Sequence, residues 1–216
     1  MPGHLFEGNP VDEDKKRRVT DTPEHRLDTN LISALKILYS KEVWLSNIAN
    51  CNDLLEKMCI DEGDTVLSFC CSAVSLNAAM WLSYSGRKNG AAIIFHFKDE
   101  KLFDKLLQND EYKIEAKLIK YEENYFEKVG YDDSLLYNIK DNRFEYEKEY
   151  RYYVYLEKME MSSHITCKLN FECLDGITLV VNQENLDITE AMCCPLMSRY
   201  YDNKIRIKIE PNEFIN

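Results

Sequence analysis

Residues 143 to 156 sort by parity, with Glu145, Glu147, Glu149 and Arg151 at odd positions and Phe144, Tyr146, Tyr150, Tyr152, Val154 and Leu156 at even ones. A strand throws alternate side chains to opposite faces, so this spacing predicts one face of carboxylates closed by a guanidinium and one face of aromatic and aliphatic groups. Adjacent carboxylates repel, and a chain accepts them where water screens the face or where a ligand needs the charge. Taken alone, the segment reads as a solvated sheet face with Arg151 as counterion. Two further groups are candidates for the same chemistry. Trp81 and Tyr84 stand one helical turn apart and form either one wall of a pocket or part of a core. Asn52 and Asp53 precede Leu54 and Leu55, where they either cap a helix or offer polar atoms to a ligand. Asp53 with Glu147 and Glu149 would also suit a metal-dependent phosphoester hydrolase, although ligands are few.

The elements that must position these groups follow from periodicity. Leu31, Ile32, Leu35, Ile37 and Leu38 predict an amphipathic helix ending near Ser40, with Asp28 or Thr29 as its cap. Strands are predicted over 42–45, 65–71, 91–97, 113–121, 149–157, 164–171, 177–182 and 204–209. Helices are predicted near 54–58, 76–83, 99–109, 122–138 and 184–192. Residues 8 to 30 are polar, contain Lys15, Lys16, Arg17 and Arg18 in a row, and predict a charged excursion or a short exposed helix. The order is mixed, so the expected fold is a single α+β domain over 1–216, with a bent or split, mainly antiparallel sheet flanked by helices.

Composition narrows the function. The net charge of −11 excludes a generic phosphate-backbone binder, which needs clustered cations, so bulk nucleic-acid binding is not expected. Eight cysteines without CxxC spacing suit a reducing compartment, and no metal site is expected from them. The chain lacks a signal-peptide pattern or a membrane span, so a cytoplasmic protein is expected. Nucleotide-binding glycine loops, the HExxH metal motif and the GxSxG elbow are all missing.

One block is more particular. Ser68 and Phe69, then Asn77, Met80, Trp81, Tyr84, Gly90, Ile93 and Phe95 give the pattern SF…N..MW..Y.....G..I.F. It is flanked by Trp44, Ser46, Asn52 and Asp53 before it and by Phe144, Glu147, Glu149 and Arg151 after it. In this order the segments resemble the bacterial domain-of-unknown-function family numbered twenty-nine seventy-one, over a core of about 30–182. Phe144 stands where that family commonly has Trp, and Leu54 where it commonly has Pro. The order of motifs is also similar to that of the ADP-ribosyltransferase superfamily, whose split sheet grips NAD between an early His or Arg, a central aromatic or Ser motif and a late Glu.

That resemblance implies NAD as substrate, in a bacterial toxin or a phage-defence effector with a protein or other target. It implies Glu149 or Glu147 as the carboxylate that stabilises charge on the ribose as the glycosidic bond breaks. It implies His4 as the first early candidate, with His25 or Arg26 next, and Ser68, Asn77, Trp81, Tyr84 and Arg151 around the cofactor. Trp44, Ser46, Asn52 and Asp53 would face the substrate. A protein that binds a nucleotide-like ligand or a partner protein without turnover is the alternative.

Overall fold

The structure is a computed structural model that describes residues 24–48, 65–74, 78–85, 89–123, 138–156, 164–201 and 205–212. Helix α1 (Leu31–Ser40) begins at Asn30, whose side chain accepts the Ser33 N–H, rather than at Asp28 or Thr29. It ends at Lys41, where a left-handed φ of 60° turns the chain back and the Lys41 N–H reaches the Ile37 carbonyl. Ala34, Leu35 and Leu38 form its buried stripe, as the 3.6-residue period requires.

Twelve strands are described: β1 (Glu24–Asn30), β2 (Glu42–Asn47), β3 (Thr65–Ser72), β4 (Gly90–Phe97), β5 (Leu107–Gln108), β6 (Glu115–Leu118), β7 (Lys120–Glu122), β8 (Ile139–Asp141), β9 (Glu149–Leu156), β10 (His164–Leu169), β11 (Leu174–Val181) and β12 (Arg206–Pro211). Ten of them form one sheet, antiparallel except for the β11–β12 pair, while β7 and β8 pair in parallel beside it. The fold is therefore mixed α+β with a mainly antiparallel sheet.

The sheet divides at β3. One edge of β3 is paired with β9 along its length, from Thr65 opposite Leu156 to Ser72 opposite Glu149. The other edge is shared, with β1 meeting it at Ser72 and β2 meeting it at Ser68 and Leu67. Between those contacts β1 and β2 part, so the sheet is split on that side.

Register and alternation then assign the faces. Phe69, Cys71, Phe95, Tyr152, Val154, Leu179 and Val181 point to one face, where Ala34, Leu35 and Leu38 of α1 close the main core. Glu24, Arg26, Asp28, Cys70, Ser72, Glu149 and Arg151 point to the other. Over that second face lies α2 (Ala78–Tyr84), with Trp81 packed on Ala92, Ile94 and Val180. Helix α3 (Leu186–Tyr201) buries Cys193 and Leu196 in the main core.

Several sequence expectations are corrected. Residues 24–30 are not part of an exposed excursion but form β1, a strand paired on both edges with β4 and β3. His25 and Leu27 turn toward the core from it, so its composition is polar while its position is central. The 99–109 helix is a 3-10 turn at Glu100–Lys105 followed by β5, which lets Leu106 and Leu107 enter the core. The 113–121 strand breaks into β6 and β7, because Ile119 sits between them with its N–H on the Glu149 carbonyl. The helices expected near 54–58 and over most of 122–138 lie outside the described residues. Among the described residues, no helix is long and apolar enough to cross a membrane, which says nothing of a membrane β-barrel.

Candidate functional site

The alternation that predicts one strand over residues 143–156 holds only from Glu149 onward. Residues Asn142–Glu147 wind instead as a 3-10 turn, capped by the Asp141 side chain, which accepts the Arg143 N–H. Lys148 then takes a left-handed conformation, with φ 44°, and hands the chain to β9. Glu145 is left exposed, bonded to Lys148. Glu147 is carried inward.

Glu149 and Arg151 share a strand face, as their spacing predicts, but that face is buried rather than solvated. Glu147, Glu149 and Arg151 are 3%, 4% and 1% exposed. The charges pair in a chain. Arg151 donates from Nε to Glu149 Oε1 at 2.6 Å, and Lys140 donates from Nζ to Glu149 Oε2 at 3.1 Å. The same ammonium donates to Glu147 Oε2 at 2.7 Å, and the Tyr84 hydroxyl donates to Glu147 Oε1 at 2.6 Å. Tyr121 fixes the strand start by accepting the Glu149 N–H at 2.7 Å.

Burial pushes the Glu149 carboxyl up, but Arg151 and Lys140, with hydrogen bonds from Arg151 and the Cys70 thiol, override it and hold it down at about 2. Glu149 is thus an ionised carboxylate in a nearly dry setting. Tyr84 is pushed the other way, first by burial and then by its bond to Glu147, so it remains a hydroxyl donor.

Ser72 joins this carboxylate to an early cation. It pairs with Glu149 on one edge of β3 and with Arg26 of β1 on the other. Two strand spacings put the Arg26 and Glu149 Cα atoms about 10 Å apart on one face. Arg26 is held by both oxygens of Asp28, at 2.6 and 2.9 Å, and lies 5.8 Å from the centre of the Trp81 ring. Burial raises the Asp28 carboxyl, and Arg26 opposes that rise. The Trp81 indole N–H is buried without an acceptor among the described residues. A cation, an indole donor, serine hydroxyls and an ionised carboxylate therefore share one surface, which suits a ligand with an anionic part and a part that becomes positive.

Of the residues predicted for the site, Trp81, Tyr84, Glu147, Glu149 and Arg151 come together around α2 and β9. Ser68 is buried on the same face, one of the β3 residues that meets β2. Trp44 and Ser46 do not join the cluster. They are exposed on β2, where Ser46 pairs with Ser68 at the edge of β3 and Trp44 packs 5.2 Å from the ring of His164. His4, Asn52, Asp53 and Asn77 lie outside the described residues. Of the two other early candidates, Arg26 faces the site, whereas His25 points into the core among Phe97, Phe103 and Tyr150. Its Nδ1 lies 3.1 Å from the Tyr152 hydroxyl, which itself donates to the Phe103 carbonyl.

Sequence reasoning missed Lys140 and Asp28. Lys140 stands between Ile139 and Asp141 in a three-residue strand, too short to carry a periodic signal. The available hint was the Arg26-x-Asp28 alternation, which puts a cation and an anion on one side of an extended chain.

No family model and no curated protein matches this chain. Among solved structures it is similar to Thermus sp. 2.9 DarT in complex with NAD+, at 6% sequence identity over 90% of this chain and 97% of that one, with a TM-score of 0.43.

Proposed function

We propose that this chain is an NAD-using, ADP-ribosyltransferase-like protein whose ligand lies across the polar sheet face beside the split. The observation that carries this reading is the row Arg26, Ser72 and Glu149, an early cation, a serine and a late glutamate on three adjacent strands. In this reading Glu149 stands by the ribose that bears nicotinamide, Arg26 meets the anionic pyrophosphate and Trp81 offers its buried N–H to a ligand acceptor. When the ribose C1–nitrogen bond breaks, its electron pair leaves with nicotinamide and neutralises the ring. The ribose becomes positive, and an ionised carboxylate held in place stabilises that charge without reorganising. A nucleophile of the target then bonds to C1 and releases its proton. The motif resemblance extends this reading to a bacterial toxin or phage-defence effector acting in the cytoplasm, on a protein or other target.

The test is purified protein with NAD labelled on the adenine side and, separately, on nicotinamide. Release of nicotinamide, with label passing to water or to a macromolecule, is expected for wild type. Glu149→Gln is expected to lose about 100-fold or more of that rate, the magnitude of removing a preorganised charge-stabilising group. Equal rates for wild type and variant would refute the assignment of Glu149.

A second reading, binding without turnover, is favoured by the engagement of every oxygen of Glu147 and Glu149 by a donor. Saturable NAD binding by calorimetry with no nicotinamide release would select it. The phosphoester-hydrolase reading is disfavoured by Lys140, whose ammonium stands between the two carboxylates that would have to share a cation.

A further inference from the structure

We infer that Lys140 is the positioning residue of this site, spanning Glu147 and Glu149 so that the Glu149 carboxylate is fixed in direction. The inference rests on the reading of Glu149 given above. It starts from geometry. The ammonium lies 2.7 Å from one carboxylate and 3.1 Å from the other, and its side chain is 8% exposed. An ammonium fans three donors from one point and so can serve two acceptors at once.

Each carboxylate is then gripped at both ends. Glu149 has Arg151 on Oε1 and Lys140 on Oε2, while Glu147 has Tyr84 on Oε1 and Lys140 on Oε2. Without Lys140 the carboxylate would keep only Arg151 on Oε1 and the weak donor of the Cys70 thiol. Lys140 supplies the charged grip on Oε2.

The small sheet that carries Lys140 is placed for this task. Its partner residue across β7 and β8 is Tyr121, whose hydroxyl accepts the Glu149 N–H. One pair of facing residues therefore holds both the backbone and the side chain of Glu149. Lys140 also lies 4.9 Å from the centre of the Phe144 ring.

Without Lys140, two buried carboxylates would be left with the single cation of Arg151 between them, and one would take up a proton or swing away. Lys140→Met and Lys140→Arg in the full chain test this by two readouts. The first is the titration midpoint of Glu149, followed by carbon-13 NMR of its carboxyl, with the signal identified by its loss in Glu149→Gln. Lys140→Met is expected to raise that midpoint by about one pH unit or more. The second is nicotinamide release, where kcat is expected to fall about tenfold or more with little change in KM, and Lys140→Arg to recover most of it.

A Glu149 midpoint in folded Lys140→Met within about 0.3 unit of wild type, a small fraction of the change expected for a lost neighbouring charge, would overturn the inference. A wild-type kcat in that variant would do the same. If Lys140→Met fails to fold, the charge-balanced pair Lys140→Met with Glu147→Gln replaces it. The pair is expected to show the raised midpoint, and an unchanged one would refute the role. Wild-type protein that releases no nicotinamide would refute the enzymatic reading alone, because the titration still decides what Lys140 does.

Discussion

Glu149 and His25 stand on the two strands that flank β3, and both make the fold less stable toward acid. Glu149 titrates at about 2 against an ordinary value of 4.5, so the folded state prefers its ionised form. Its contribution is fully present above pH 4.5 and is lost as the pH falls through about 2, and Glu149→Gln is expected to flatten that part of an unfolding-energy profile. Burial lowers His25 from 6.5 to about 3, so the folded state prefers the neutral ring. Here the unfolded chain binds the proton first, and stability is expected to decline as the pH drops from 6.5 toward 3. Carbon-13 shifts of the His25 imidazole at pH 5 should still be those of a neutral ring. Sequence reasoning picked out the Glu149–Arg151 pair because alternation is visible in residue types. It could not see that the pair is dry, because dryness depends on α2 and the Asn142–Glu147 turn arriving from elsewhere in the chain.

Among the elements, α1 and the core face of β9 were legible because hydrophobic residues recur at the period of the structure they form. β1 was not, since a central strand that serves a polar face shows only half of its side chains to the core. The 99–109 segment failed for another reason. Leu102, Phe103, Leu106 and Leu107 match a helical period, but they fill the core through a 3-10 turn and a two-residue strand. The seating of α2 depends on Gly90, the first residue of β4. A Cβ added there would stand 2.7 Å from the Ser85 carbonyl oxygen and 2.6 Å from its hydroxyl, just past the end of the helix. Gly90→Ala is therefore expected to cost about 1–3 kcal/mol in denaturant unfolding, the usual toll of overpacking. Because Trp81 and Tyr84 ride on α2, it should also loosen the Tyr84–Glu147 bond. A change in Trp81 fluorescence would report that displacement.

For the molecule as a whole, the sheet separates the apolar core from the charged cluster by face. Leu179 is fully buried on the core side of β11, and Leu179→Ala is expected to lose about 2–5 kcal/mol of unfolding energy. The affinity of the remaining folded protein for NAD, measured by calorimetry, should be unchanged by it. On the opposite face, Arg151, Glu149, Lys140 and Glu147 alternate in sign, and two positive charges cancel two negative ones. Such an arrangement has almost no field beyond its own edges, whatever the strength of each pair inside it. The long-range potential of the molecule is set instead by its overall −11 charge, which repels an anionic dinucleotide and is weakened by salt. A ligand would consequently sense Glu149 only on touching it, and encounter would speed up as ionic strength rises while the bound lifetime stays nearly constant.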